Sequence, residues 1–375
     1  MSDNNEDNRQ QETAEEQPAV QETAEEQPVA AETVEEQPTE QVAAEEQPSE
    51  EPVNSDLTVI ECKDVTVVEN EEQPEPAKKA EIQLKEINTG SIMDALKCMV
   101  SFFTIIRLDV GEKECDAMER NFWLVPVIGA INGFVAFIVC LILGLLGMDW
   151  IIQSICALAT VFIFSKFLHF DGLVDFGDGI VVSSGNQEDH VRALKDSLIG
   201  AGGFGVALIV TLISFFSLGE VSGFVQAWAN ENNIDMTITV AFIVFPLEIL
   251  IKNAQVVAAA FGQPGNGMAS KQVSNTGISD VIYSTILTTV LVIIACLICW
   301  GIASACPGHL ELPMASVLLV GLVAGLLTLV VGFGMAYISN KTFGFVNGDI
   351  LGATNDITRA VVLLVSLILL TISLW

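Results

Sequence analysis

The sequence predicts an all-α integral membrane protein of about seven transmembrane helices behind a long acidic N-terminal tail. Three observations predict it. Charge is partitioned: residues 1–86 hold 26 Asp/Glu and 5 Lys/Arg, out of 47 and 16 in the 375-residue chain. Apolar residues concentrate in the remainder, and mean hydropathy reaches +0.52 in spite of the polar tail. That apolar sequence is divided into separate stretches long enough to cross hydrocarbon. One soluble acidic globule would not segregate its residues in this way. A formal net charge of −31 also leaves no cationic footprint for nucleic acid.

The tail comes first. Residues 11–50 repeat with a period of ten, and Glu-Glu-Gln-Pro recurs at 15–18, 25–28, 35–38 and 45–48, then out of phase at 71–74. A decamer with one Pro and about three acids buries too little apolar surface to offset chain entropy. Proline at this interval also interrupts any helix. Residues 1–88 are therefore expected to be a disordered, solvated spacer, and residues 89–375 a membrane-embedded domain. The polar start contains no signal peptide, so the first span is expected to direct insertion itself.

The seven apolar stretches run over Phe122–Met148, Ile151–Leu168, Gly200–Leu218, Met236–Phe261, Val281–Ala303, Met314–Ile338 and Ala360–Trp375. The second and seventh are the shortest. Lipid offers no partner for backbone polar groups, so each is expected to be helical. Trp123, Trp150, Trp300 and Trp375 fall at or near the ends of these stretches, as interfacial anchors do. Ser91–Ile106 reads as an amphipathic segment along the membrane surface. No Lys or Arg occurs in the connections 149–150, 219–235 and 304–313, whereas the alternate connections and the tail hold the whole complement. The positive-inside rule then places the N-terminus in the cytoplasm and the C-terminus outside. Of eight cysteines, four sit within spans, and Cys296-x-x-Cys299 lies in an apolar helix where packing is the expected role.

The chemistry-bearing residues gather in the cytoplasmic connections. The one after the second span reads HFDGLVDFGDG over 169–179. Asp171, Asp175 and Asp178 are spaced i, i+4, i+7, so a helix continuing past Leu168 puts all three carboxylates on one face. Clustered carboxylates repel one another unless a cation neutralises them, and Mg²⁺ is the natural one, held by a few carboxylates and substrate phosphate oxygens. His169 is either a proton carrier or phosphate contact, or an interfacial histidine. Lys195-Asp196 precedes a glycine-rich helix start containing Gly200 and Gly203, which reads either as a phosphate cradle or as close helix packing. The connection before the seventh span offers Asn347 and Asp349 as a second acidic site. Glu248 and Lys252, four apart within the fourth span, are expected to neutralise each other, as a functional site or as a structural pair. Carboxylates, glycines and scattered cations at one membrane face favour phosphotransfer beside the membrane over transport, because the spans carry few polar groups.

These segments resemble the cobalamin synthase family, adenosylcobinamide-GDP ribazoletransferase. The carrying sequences are FFTIIRL (102–108), RNFWLVPVIGAINGF (120–134), HFDGLVDFGDG (169–179), RALKDSLIGAGGFGVAL (192–208) and NGDILGATNDIT (347–358). The resemblance covers about Ser91–Trp375. It departs from the family in the segment IIRLDV, in FGQPGNGMAS after the fourth span, and at Asp356, where the family commonly carries Glu. The resemblance implies transfer of the adenosylcobinamide phosphate moiety from adenosylcobinamide-GDP to α-ribazole or its 5′-phosphate, with release of GMP and a requirement for Mg²⁺. It implies a multi-pass enzyme of the cell membrane with its site on the cytoplasmic face, and a homo-oligomer is compatible with it. Carried over by motif, Asp171, Asp175 and Asp178 become the metal and pyrophosphate site, one of them a general base. Asp196 becomes a further catalytic acid, and His169, Lys195 and Asp349 become substrate contacts; Gly200, Gly203, Asn347 and Lys252 are expected to join them on the reading of the residues given above. A CDP-alcohol phosphotransferase-like lipid synthase is the alternative enzyme, but its D-x-x-D-G-x-x-A-R pattern is absent here. A transporter is the non-enzyme alternative.

Overall fold

The computed structural model describes residues 90–231, 238–267, 269–305 and 314–373. The expected disordered tail lies outside the described residues. Among the described residues the secondary structure is helical, with a single isolated bridge between Pro264 and Val346. Ser91 opens α1 (Ile92–Phe103) with a reciprocal cap: its hydroxyl accepts from the Asp94 amide, and the Asp94 carboxylate accepts from the Ser91 amide at 2.8 Å. Helix α2 (Glu112–Arg120) folds back on α1, held by Lys113–Asp94 at 3.0 Å. Ile92, Met93, Ile105, Ile106 and Leu108 are exposed around this pair.

The bundle follows: α3 (Val125–Leu145), α4 (Trp150–Phe164), α5 (Leu168–Ile180), α6 (Gln187–Leu194), α7 (Ala201–Glu231), α8 (Thr239–Phe261), α9 (Ser270–Asn275), α10 (Ile278–Ala305), α11 (Met314–Thr342) and α12 (Gly348–Ser373). Six of the described helices are long and apolar enough to cross a membrane, and a seventh crossing is formed if the bent pair α4–α5 counts as one. The expected all-α, polytopic architecture holds. Helix α8 is the most buried of these spans and packs against α3, α10, α11 and α12.

Two spans differ from expectation. The second does not run straight through Leu168. It stops at Phe164, and α5 leaves it at 91°. The corner is made by Lys166 and Phe167, both at positive φ (56° and 57°) although neither is glycine. Left-handed backbone costs an L-residue roughly 1–2 kcal/mol, so a sequence search keyed to Gly or Pro passes over this break. Because α5 is itself helical, the three aspartates keep the predicted helical register, on a helix that crosses the bundle where α7 and α12 begin. The seventh span starts at Gly348 rather than Ala360, so Asn355, Asp356 and Arg359 belong to a helix and not to a connection. All three are buried. Asn355 Nδ2 donates to Asp356 Oδ1, and Arg359 bonds Glu248 and Asp356 inside the bundle, so a polar run continues the helix where apolar content alone places the start too late.

Candidate active site

Helix α5 carries the acidic motif along one side, and glycines on α5 and on the start of α7 let two helix starts come close. A Cβ on Gly172 would stand 2.5 Å from the Asp349 carbonyl oxygen, and one on Gly203 would stand 2.5 Å from the Val174 carbonyl. Only glycine permits these approaches. They bring the start of α12, with Asp349, and the start of α7 against the aspartates of α5.

The aspartates do not share one environment. Asp178 is engaged by backbone: Oδ2 accepts from the Gly200 amide at 2.8 Å and Oδ1 from the Gly203 amide at 2.7 Å. It caps α7 from a neighbouring helix, satisfying amides that the first turn leaves without partners and placing negative charge at the positive end of the dipole. The cradle offered by Gly200 and Gly203 is thus filled by a carboxylate of the chain. Asp171 is exposed, and Asp175 and Asp349 are partly exposed. Burial, and then the neighbouring carboxylates of Asp349, Asp171 and Asp178, push the Asp175 carboxyl up to about 7. Burial is the larger cause, and crowding of carboxylates without enough countercharge adds to it. Asn347 caps α12: its Oδ1 accepts from the Ile350 amide, and its Nδ2 donates to Asp349 Oδ2 at 2.7 Å, fixing that carboxylate.

The remaining sequence-predicted residues fall into two groups. Lys195 is exposed at the end of α6, its ammonium 5.6 Å from the centre of the Phe345 ring. With Asn186, Gln187, Glu188, Val191 and Arg192 it lines an open cleft of about 610 Å³. Asp196 is exposed, and its Oδ1 accepts from the Leu198 amide in a local turn. His169 and Lys252, by contrast, are buried, with Lys252 Nζ 2.8 Å from His169 Nε2. The expected Glu248–Lys252 pairing is replaced. Glu248 receives two hydrogen bonds from Arg359 of α12, at 2.7 and 3.1 Å, and Arg359 also pairs with Asp356. A guanidinium fork matches a carboxylate better than a lysine one turn away on the same helix. Sequence reasoning missed Arg359 as a buried residue. Its spacing from Asp356, i and i+3, was the available signal that both lie on a helix.

Among the described residues, no three His, Cys, Asp or Glu side chains form a ready metal cage. Mg²⁺ does not ask for one, since it keeps water and substrate phosphate oxygens and uses one or two carboxylates. The crowded pair Asp171 and Asp349 beside Asp175 suits that demand, whereas both oxygens of Asp178 are already engaged.

Comparison with known proteins agrees with this architecture. A family model described as cobalamin-5-phosphate synthase matches residues 95–367. The chain is 29% identical over 278 residues to the adenosylcobinamide-GDP ribazoletransferase of Methanocella arvoryzae, covering 72% of this chain and 94% of that protein. It is 24% identical over 271 residues to the protein of the same name from Pyrococcus furiosus, covering 72% and 98%. The Halorubrum lacusprofundi protein of that name is 29% identical over 280 residues, covering 72% and 96%. No solved structure matches. The matched region contains α5, α8 and the start of α12 with their polar residues, and the chain belongs to the cobalamin-5-phosphate synthase family.

Proposed function

We propose that this chain is an adenosylcobinamide-GDP ribazoletransferase of the cell membrane, working on the cytoplasmic face. The observation that carries the reading is the meeting of Asp171, Asp175 and Asp349 where α5 crosses the starts of α7 and α12. Asp171 and Asp349 would hold Mg²⁺, which when bound supplies countercharge to the pyrophosphate and the departing GMP. Asp175, whose carboxyl sits near neutrality, takes the proton of the attacking ribose hydroxyl. The hydroxyl oxygen forms a bond to the phosphorus attached to cobinamide, the bond from that phosphorus to the GMP oxygen breaks, and the proton passes from Asp175 to solvent. Lys195 lines the neighbouring cleft, whose size suits a nucleotide-sized group, and its ammonium suits a phosphate; Arg192 on the same cleft is paired with Asp189 at 2.6 Å. Asp178 orients the start of α7, and Asp196 ends the helix turn that carries Lys195.

The test is product stoichiometry. The full chain in detergent micelles, given adenosylcobinamide-GDP, α-ribazole or its 5′-phosphate, and Mg²⁺, is expected to release one GMP for each cobamide formed. Turnover of CDP-activated lipid in place of these substrates would overturn the reading in favour of a lipid synthase.

A further inference from the structure

Resting on that reading of the carboxylates, we propose that the buried Lys252–His169 contact is a positioning device, not a substrate contact. It fixes the first turn of α5, and with it Asp171 and Asp175, against the central helix α8.

Four observations carry this. First, Lys252 is fully buried and His169 is 3% exposed, so neither presents its polar end to a ligand-accessible surface. Second, their 2.8 Å contact is a direct polar link between α8 and the start of α5. An ammonium has only donors, so as an ammonium Lys252 donates and His169 Nε2 accepts. Third, His169 is held on two further sides. Phe103 of α1 stacks on its ring, with centroids 6.1 Å apart and planes 8° from parallel, and Gly352 of α12 lies against its backbone. Fourth, α5 enters from a left-handed corner at Lys166 and Phe167 that backbone hydrogen bonds close on the α4 side, and the Lys252–His169 contact anchors the turn that follows it.

The same face of α8 holds α12. Glu248, Lys252 and Gln255 are spaced i, i+4, i+7 and so form one stripe. Glu248 binds Arg359, and Gln255 Nε2 donates to the Leu351 carbonyl at 2.9 Å. One stripe on one helix therefore ties both elements that bring the carboxylates together, and Lys252 is its link to α5. A buried cation facing a histidine is costly compared with an apolar packing residue. A geometric demand of the site is the role that accounts for it.

The experiment compares Lys252→Met, His169→Leu and His169→Gln in the full chain. Lys252→Met keeps length and removes the donor; Gln at 169 keeps an acceptor. For Lys252→Met and His169→Leu, kcat is expected to fall about a hundredfold while KM for both substrates stays near wild type. His169→Gln is expected to recover most of that loss. In the same proteins, hydrogen–deuterium exchange of the α5 amides should rise in the first two variants and not in the third, with α10 exchange unchanged in all. A raised KM with kcat retained would overturn the proposal in favour of direct substrate contact. Unchanged α5 exchange would overturn it as well, as would a uniform rise through all helices with normal kcat in the folded fraction. If the wild-type chain itself releases no GMP, the functional reading fails, and the exchange comparison still decides whether the contact holds α5.

Discussion

Glu248 of α8 accepts two hydrogen bonds from the Arg359 guanidinium of α12, and both side chains are 1% exposed. This is a paired, fully desolvated charge in the middle of a membrane bundle. Removing Arg359 strands the Glu248 and Asp356 carboxylates together, which costs roughly 3–5 kcal/mol, whereas removing Glu248 leaves Arg359 its bond to Asp356. Glu248→Gln and Arg359→Leu are each expected to lower the thermal unfolding temperature of the detergent-solubilised protein, and the double variant to lose less than the sum of the two. Additive losses in that cycle would mean that the two residues act independently.

Asp178 bonds the amides of Gly200 and Gly203 and closes the start of α7. Asp178→Ala is expected to reduce stability by about 1–2 kcal/mol, as loss of a helix cap does, and to reduce turnover together with it. Full stability with turnover abolished would instead make Asp178 a group that acts on substrate.

Gly172 lies against the backbone of Asp349, and a methyl group there would press on the Asp349 carbonyl. Gly172→Ala is expected to move the two carboxylate-bearing elements apart and cut kcat about a hundredfold, the usual penalty for a displacement near 1 Å. Gly205→Ala is the control, because a methyl at Gly205 meets open space. Equal activities of the two variants would show that the α5–α12 contact does not set the site.

The Asp175 carboxyl, pushed up to about 7 by burial and neighbouring carboxylates, gives a pH signature. A base must be unprotonated, so kcat/KM is expected to fall on the acid side, with its limb near 7 at limiting Mg²⁺. Countercharge favours the ionised form, so raising Mg²⁺ should move the limb to lower pH. The sign for stability is the reverse of an ordinary ion-paired aspartate. A raised pKa means that the folded state holds its proton where the unfolded chain has lost it. Without metal, stability should therefore decline as pH rises from about 4 to about 7. A limb that ignores Mg²⁺ would separate the base from the metal site.

The sequence made the helical membrane fold legible because apolar length and charge exclusion are properties of single segments. It also made the acidic motif legible, since Asp171, Asp175 and Asp178 keep their i, i+4, i+7 register in α5. What it hid was partnership. Nothing local shows that Asp178 bonds Gly200 and Gly203, or that Glu248 turns to Arg359 across the bundle rather than to Lys252 on its own helix. Those choices depend on which helices become neighbours. The corner at Lys166 and Phe167 was hidden for a different reason: left-handed backbone is here adopted without glycine and closed by backbone hydrogen bonds such as Phe167 N–H to the Phe162 carbonyl, which no residue type announces.

If the carboxylates at the meeting of α5 and α12 perform a GMP-releasing transfer, removing one of them stops GMP release. The most direct measurement is GMP release from adenosylcobinamide-GDP and α-ribazole by wild type and Asp175→Asn, both shown to be folded and inserted, with and without EDTA. Wild type is expected to release GMP with metal and not in EDTA, and the variant none above background. Near-normal release by Asp175→Asn, or release indifferent to EDTA, would contradict it.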